Sequence, residues 1–370
     1  MSTAASQWSG SSESANLDFL RSVAVLVVFG THYFDIQYGF GATWSFLWHL
    51  GQLGVLIFFV HTSLVLMWSL ERSSAQGGQL FGQFYVRRAF RIYPLSIVFV
   101  LLAYCFDARW SPVSLWPNLT LTQYLFMKGS VPNIPPSVTP LWSLPLEIEM
   151  YVLLPFLFLV FRKRPVRLLF AAWIASVAVA LAQPRLGEGF AILRYVPCFL
   201  GGIIAWRLMR ERGRRSLPDW LWPIAIAAVS VIWMLSRERR YSLYIAAFGL
   251  CLGLAAPLFR EIRWSKLRTA SKLIARYSYA IYLSHFPIML YVTRGRPWDP
   301  PRFKVIPPMN AISHYARPIN AVLIVALTAA ASLLLYHGIE KPGIQLGRTI
   351  AQWLAHSNDQ VPKETLLAQR

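Results

Sequence analysis

The chain has 370 residues, of which 56% are apolar and 14% charged, and its mean hydropathy is +0.44, a balance that excludes disorder and most soluble folds. Lys and Arg number 36 against 16 Asp and Glu, for a net charge of +20. In so apolar a chain that excess reads as loop charge that orients membrane helices, and nucleic acid is not an expected partner.

The first fifteen residues, MSTAASQWSGSSESA, are polar, lack Lys and Arg and hold no apolar run, so residues 1–16 read as a short tail rather than a cleavable signal. Apolar stretches occupy 17–34, 47–70, 92–106, 141–161, 168–182, 190–209, 220–235, 243–259, 277–292 and 319–337. The expected fold class is all-α: a polytopic membrane protein with about ten transmembrane helices, in one domain over residues 17–342. The third, fifth, seventh and ninth stretches are short against a usual minimum of about 17 residues. Residues 343–370 read as a polar C-terminal tail, partly disordered.

Alternate loops carry 19 and 11 Lys and Arg, a bias that places the richer set and both termini in the cytoplasm of a cell whose inner membrane holds the protein. Two long connections, 107–140 with Trp110, Trp116 and Tyr124 and 293–318 with Trp298, Pro300, Pro301, Pro307 and Pro308, fit loops folded over a cavity mouth. Cys105, Cys198 and Cys251 are far apart and odd in number, so neither a disulfide framework nor a metal site is expected.

Ionisable side chains inside apolar spans are costly and mark functional positions by default. The first span, NLDFLRSVAVLVVFGTHYF, holds Asp18, Arg21 and His32. Arg21 and His32 are eleven residues apart, about three turns, so they share one face roughly 16 Å apart along the axis. Asp18 stands one turn before Arg21 and can pair with it. The plainer readings are an interfacial pair at the helix start and a satisfied core histidine.

The fourth span opens LWSLPLEIEMYVLLPFLF, with Glu147 and Glu149. Entering from outside at residue 141, it carries Glu147 some 9 Å deep, where His32 of the first span is expected to meet it. A histidine beside a carboxylate makes a general base with its orienting acid. Glu149 projects from another face and reads as a structural partner. The connection after the second span, FYVRRAFRIYPL, supplies Arg87, Arg88 and Arg91 at the cytoplasmic rim. Such cations are expected there on topological grounds, yet three arginines followed by Tyr93 and Pro94 also make a phosphate cradle. His285 falls near mid-membrane, either functional or a satisfied interhelix histidine, and His61 and His337 read as structural.

LDFLRSVAVLVVFGTH, GVLIFFVHTSLVL, RRAFRIYPL, LWSLPLEIEMYVLLP, YSYAIYLSHFPI and GIEKP, in this order, resemble the motif series of the integral-membrane acyltransferase-three family, O-acetyltransferases of surface polysaccharides and related acceptors. The resemblance runs from about Leu17 to Pro342. It implies an acyl-coenzyme A donor, usually acetyl, as a substrate rather than a permanently bound cofactor, together with an acceptor hydroxyl and the lipid bilayer. It marks Arg21 and His32 as the paired first-helix residues, Arg87, Arg88 and Arg91 as the arginine motif that takes the donor, and Glu147 as the carboxylate of the fourth span. One departure stands out: where the family has a glycine after Phe-Phe and two further residues and a serine, this chain has Thr62 followed by Ser63, which is expected to limit close helix approach. The extracellular hydrolase-like domain of some relatives is not seen.

The expected function is transfer of an acyl group, acetyl above all, from coenzyme A to a carbohydrate hydroxyl. His32 is the base for that hydroxyl, Glu147 orients His32, and Arg21 stabilises the pantetheine or the oxyanion. A covalent acyl group on His32 or on Ser143 is left open. The alternatives are acylation of a small hydroxylated molecule such as a macrolide, and a proton-coupled carrier of lipid-linked sugar.

Overall fold

A computed structural model of the chain describes residues 14–38, 45–106, 112–125, 136–212, 216–235, 241–294 and 317–357. Much of the expected N-terminal tail, Trp110, Trp298, Pro300, Pro301, Pro307 and Pro308, the loop cations Arg109, Lys128, Arg214, Arg215, Arg237, Arg239, Arg240, Arg296, Arg302 and Lys304, and residues 358–370 lie outside the described residues.

Within them the chain runs through α1 (Ala15–Tyr38), α2 (Ser45–Glu71), α3 (Gly77–Phe106), the short α4 (Pro112–Leu119), α5 (Leu144–Phe161), α6 (Val166–Ala182) and α7 (Ile192–Arg212). It continues through α8 (Leu221–Met234), α9 (Tyr241–Ala255), α10 (Ser265–Arg294), α11 (Arg317–Leu335) and α12 (Lys341–Ser357). A 3₁₀ segment, Pro136–Ser143, leads into α5, and a π turn, Tyr336–Glu340, joins α11 to α12.

Among the described residues eight helical runs are long and apolar enough to cross a membrane, and the chain is an all-α polytopic membrane protein. Each of the ten expected spans coincides with a helix, and two of those helices fall outside the eight. α8 has 14 residues, about 21 Å at 1.5 Å per residue, against a hydrocarbon core of roughly 30 Å. α10 has 30 residues, but Lys266, Arg268, Lys272 and Arg276 occupy its first half and hydroxyl and imidazole groups its second.

The surface is apolar where lipid would touch it. Val152, Leu153, Phe156 and Val160 of α5, Ile174 of α6 and Val322, Val325 and Leu334 of α11 are between 43 and 75% exposed, a belt that only a bilayer rewards. The opposite stripe of α5, Leu146, Met150, Leu154 and Phe158 at four-residue spacing, is buried.

Close helix crossings come from small residues. A Cβ on Gly202 of α7 would collide with Ser63 Oγ and the Val60 carbonyl of α2. Ser63 keeps Oγ 2.8 Å from the Phe199 carbonyl and 2.9 Å from its own Phe59 carbonyl, so its one proton is held between the two helices. The expected loss of close approach at Ser63 is therefore absent, because α7 supplies the missing glycine. α7 and α9 meet in the same way through Gly201, Gly249 and Gly253.

α1 and α10 run parallel. Ser22 Oγ donates to the Ser271 carbonyl at 2.8 Å and Arg21 Nε to Ser278 Oγ at 2.6 Å, while His32 and His285 meet further along both helices. Asn16, 3% exposed, locks the start of α1. It receives the Trp222 indole N–H on its carbonyl at 3.2 Å and the Ile262 N–H on Oδ1 at 3.0 Å, and its own N–H reaches Glu261 at 2.9 Å.

Some loop arginines do more than set topology. Arg210 donates to the Arg162 carbonyl at 2.6 Å and Arg207 to that of Arg164 at 3.0 Å, closing the open carbonyl end of α5. Arg210 also pairs with Glu71 at 2.9 Å, which takes the Trp206 indole N–H at 2.7 Å.

Candidate functional site

The arginine motif is not in a loop. α3 begins at Gly77, so Arg88 and Arg91 stand roughly 16 and 21 Å along the helix. They continue a stripe formed by Leu80, Phe84 and Leu95, which are 3, 4 and 1% exposed, at spacings of four, four, three and four residues. That heptad-like register carries both guanidinium groups into the bundle. The neighbouring arginine turns away: Arg87 Nε and Nη2 donate to the Gln83 carbonyl and Oε1 at 3.0 and 2.9 Å. Arg87 lies outside the main cavity, a correction to the three-arginine cradle. Tyr93 leaves it too, its hydroxyl donating to the Thr120 carbonyl at 3.0 Å.

Arg88 and Arg91 line a cavity of about 370 Å³ together with Arg21, Glu147, Tyr151 and Tyr282, a size typical of small-ligand sites. The Glu147 carboxylate accepts the Thr62 hydroxyl of α2 at 3.1 Å and the Tyr151 hydroxyl from its own helix. Glu149 lines neither this cavity nor the next.

An adjoining cavity of about 410 Å³ shares Arg21, His61, Arg72, Arg91 and Arg348 with the first. Lys272, Arg276 and Lys341 add to its cations, set against the carboxylates of Asp18 and Glu340. Through these shared walls a strongly cationic vestibule, at the end of the bundle where α1 and α10 begin, adjoins the space that holds the hydroxyl and carboxylate cluster of Glu147 and Tyr151. Such a vestibule attracts anions and concentrates them at its mouth.

Two walls of these cavities escaped sequence reasoning. His61, expected to be structural, is 5% exposed and lines both cavities. Glu340 is 1% exposed, and its nearest ion-pair contact is Arg91 Nη2 at 4.0 Å. The π turn aims Glu340 inward, a common role for such turns at functional positions. Its signal in the sequence is that it is the one carboxylate between residues 317 and 357. The segment after Pro342, expected as a tail, is helical to Ser357, and Gly343 and Gly347 let it lie against Phe90 of α3.

His32 lies apart from these cavities. Its ring packs at 5.3 Å from His285 and edge-on at 5.0 Å from Phe286, and it lines neither cavity. The structure thus brings Arg21, Arg88, Arg91 and Glu147 together and does not bring His32 to Glu147. The physical reason is helix partnership: α1 turns the His32 face toward α10, whereas Glu147 on α5 faces α2. Tyr282 separates the two groups. It lines the cavity, and its ring also stands 6.2 Å from that of His285. Its hydroxyl donates to the Pro140 carbonyl at 2.6 Å, so the Ser143 hydroxyl 2.7 Å away is the donor to the phenol oxygen. The Ser143 hydroxyl is thus engaged by a phenol in that arrangement.

A family model described as an acyltransferase domain matches residues 14–337. Among curated proteins, the acyltransferase MdmB of Streptomyces mycarofaciens is 30% identical over 181 residues, a match that covers 45% of each chain. The chain thus spans about half the length of that relative. No solved structure matches.

Proposed function

We propose, for a chain that belongs to the integral-membrane acyltransferase-three family by its match over residues 14–337, that the bundle moves an acyl group, acetyl above all, from acyl-coenzyme A to a carbohydrate hydroxyl. The observation that carries the reading is the pair of adjoining cavities in which Arg21 and Arg91 form the shared wall between a cationic vestibule and the space lined by Arg88 and Glu147. The phosphates of the donor bind among Arg72, Arg276 and Arg348 at the cytoplasmic mouth, where charge-assisted bonds to phosphate are strong. Its pantetheine arm, roughly 15 to 20 Å long against a core of about 30 Å, runs past Arg88 and Arg91. The thioester then reaches the Tyr282 end of the cavity.

His32 takes the proton of the acceptor hydroxyl as its oxygen attacks the thioester carbonyl. Arg21, roughly 16 Å from His32 along α1, steadies the pantetheine arm, and Glu147 holds Thr62, Tyr151 and the neighbouring guanidinium groups in place. The donor enters from the cytoplasm and the product leaves on the other side of the inner membrane, with both termini cytoplasmic.

Purified protein in nanodiscs, given radiolabelled acetyl-coenzyme A and a panel of p-nitrophenyl hexosides, tests the reading. Coenzyme A release with label on a hexoside is expected. Label passing only to a macrolide or another small hydroxylated molecule would replace the acceptor. Transport of lipid-linked sugar without thioester cleavage would overturn the enzyme reading.

A further inference from the structure

The wall common to both cavities is made of Arg21, His61, Val65, Arg72, Arg91 and Arg348. A guanidinium group has five N–H donors and no acceptor, so these arginines can meet a phosphate or a carbonyl but never an N–H. Val65 offers neither. His61 is 5% exposed, and its ring makes no hydrogen bond among the described residues. Its nitrogens are not among the sealed polar atoms of the core and open onto the space that the ring lines. A further charge beside Arg21 and Arg91 would be costly inside the bundle, and a neutral imidazole carries one N–H and one lone pair. Among the described residues that lone pair is the side-chain acceptor of the shared wall.

α2 grades this wall by depth. Arg72 continues the helix by one residue, its N–H on the Trp68 carbonyl at 3.1 Å. Ser69, Val65, His61 and Phe58 follow at helical spacing on the face that lines the first cavity. His61 stands eleven residues from Arg72, about 16 Å along the axis, and Phe58 about 4.5 Å further. The Phe58 ring meets that of Tyr282 at 6.1 Å. An extended coenzyme A arm has a matching graduation: the nitrogen of its inner amide is roughly 12 Å from the phosphorus and 4 Å from the sulfur at the extension of a peptide chain. With a phosphate on the Arg72 side chain, that amide falls at His61 and the thioester at Phe58 and Tyr282.

We infer that His61 is a donor-binding residue: its bare ring nitrogen accepts the N–H of the amide next to the thioester and so sets how far the arm enters. This rests on the reading of acyl-coenzyme A as the donor. The carbonyl of the same amide has guanidinium N–H groups to accept from, whereas its N–H, taken out of water among cations, finds its partner in His61. Neighbouring residues of α2 thus divide the work, Thr62 holding Glu147 and His61 holding the arm.

Isothermal titration of protein in nanodiscs with coenzyme A, which has no acyl group to transfer, reads the contact without catalysis. The second probe is an analogue whose inner amide is an ester, with N–H replaced by oxygen at nearly constant shape. Wild type should prefer the amide by about 10-fold. His61→Leu should bind coenzyme A about 10-fold more weakly and prefer neither probe, and His61→Gln, whose Oε1 accepts, should keep part of the preference. Adenosine 3′-phosphate 5′-diphosphate lacks the arm and should bind wild type and His61→Leu within about twofold, which shows the vestibule of the variant to be intact. Equal affinity of wild type for amide and ester, an amide preference that survives in His61→Leu, or loss of the armless nucleotide from that variant would overturn the assignment. Failure of the underlying reading looks different: coenzyme A would titrate none of the proteins, wild type included.

Discussion

Thr62 on α2 donates its hydroxyl to the Glu147 carboxylate of α5 at 3.1 Å, so the one acidic wall of the first cavity is set by a helix other than its own. Tyr151 supplies a second hydroxyl from one turn further along α5, and Arg21, Arg88 and Arg91 line the same space. The carboxylate is a counter-charge to Arg21, Arg88 and Arg91 inside the bundle.

Glu147→Gln removes that charge at almost constant volume and leaves the arginines to repel one another. A loss of about 10- to 100-fold in kcat over donor KM is expected, whereas Thr62→Val removes one hydrogen bond to a charged group, worth about 1.5–3 kcal/mol at most, and should lose less. Steady-state kinetics on both variants decide the point; wild-type rates for Glu147→Gln would show that the charge serves the fold alone.

The arginines of α3 should separate by direction. Arg88→Ala and Arg91→Ala each remove a cation from the cavities and should raise donor KM by about 10-fold or more through lost charge-assisted bonds. Arg87→Ala loses only bonds to Gln83 and should stay within about twofold. An unchanged donor KM in Arg88→Ala and Arg91→Ala would return the motif to a topology signal, and an equal rise in all three would restore the three-arginine cradle.

At the α2–α7 crossing the demanding position is Gly202, not Ser63. Gly202→Ala sets a methyl group against Ser63 Oγ and the Val60 carbonyl and should destabilise the protein by about 1–3 kcal/mol, the usual range for overpacking. Ser63→Gly gives up one hydroxyl shared between carbonyls and should cost about 1 kcal/mol. Thermal unfolding in detergent compares them, and the reverse order would mean that the helices part rather than clash.

Sidedness has its own test. Cysteines placed at Leu346 and Trp353, 52 and 67% exposed on α12, should react with an impermeant maleimide only after the cells are opened. Labelling in intact cells would put the cationic vestibule on the outside, away from cytosolic coenzyme A.

The amino-acid sequence by itself determined the solvent and the secondary structure. Apolar runs of membrane length leave an α-helix as the local way to satisfy the backbone in lipid, and all ten of those runs are on helices. It also named the charged groups worth pursuing, Arg21, His32 and Glu147 by their cost inside apolar spans and Arg87, Arg88 and Arg91 as a phosphate cradle at the rim. Tertiary structure alone decided which of them meet. Depth along a helix comes from counting residues, but the face a helix turns to each neighbour depends on crossings such as Ser63 against Gly202, which lie far apart in the chain. The π turn at Tyr336–Glu340 inserts an extra residue into the turn, rotating α12 about the helix axis and bringing it, with Glu340, onto the Arg91 side of α3. For the same reason His32 and Glu147 agree in depth when read from the sequence and yet face different partners.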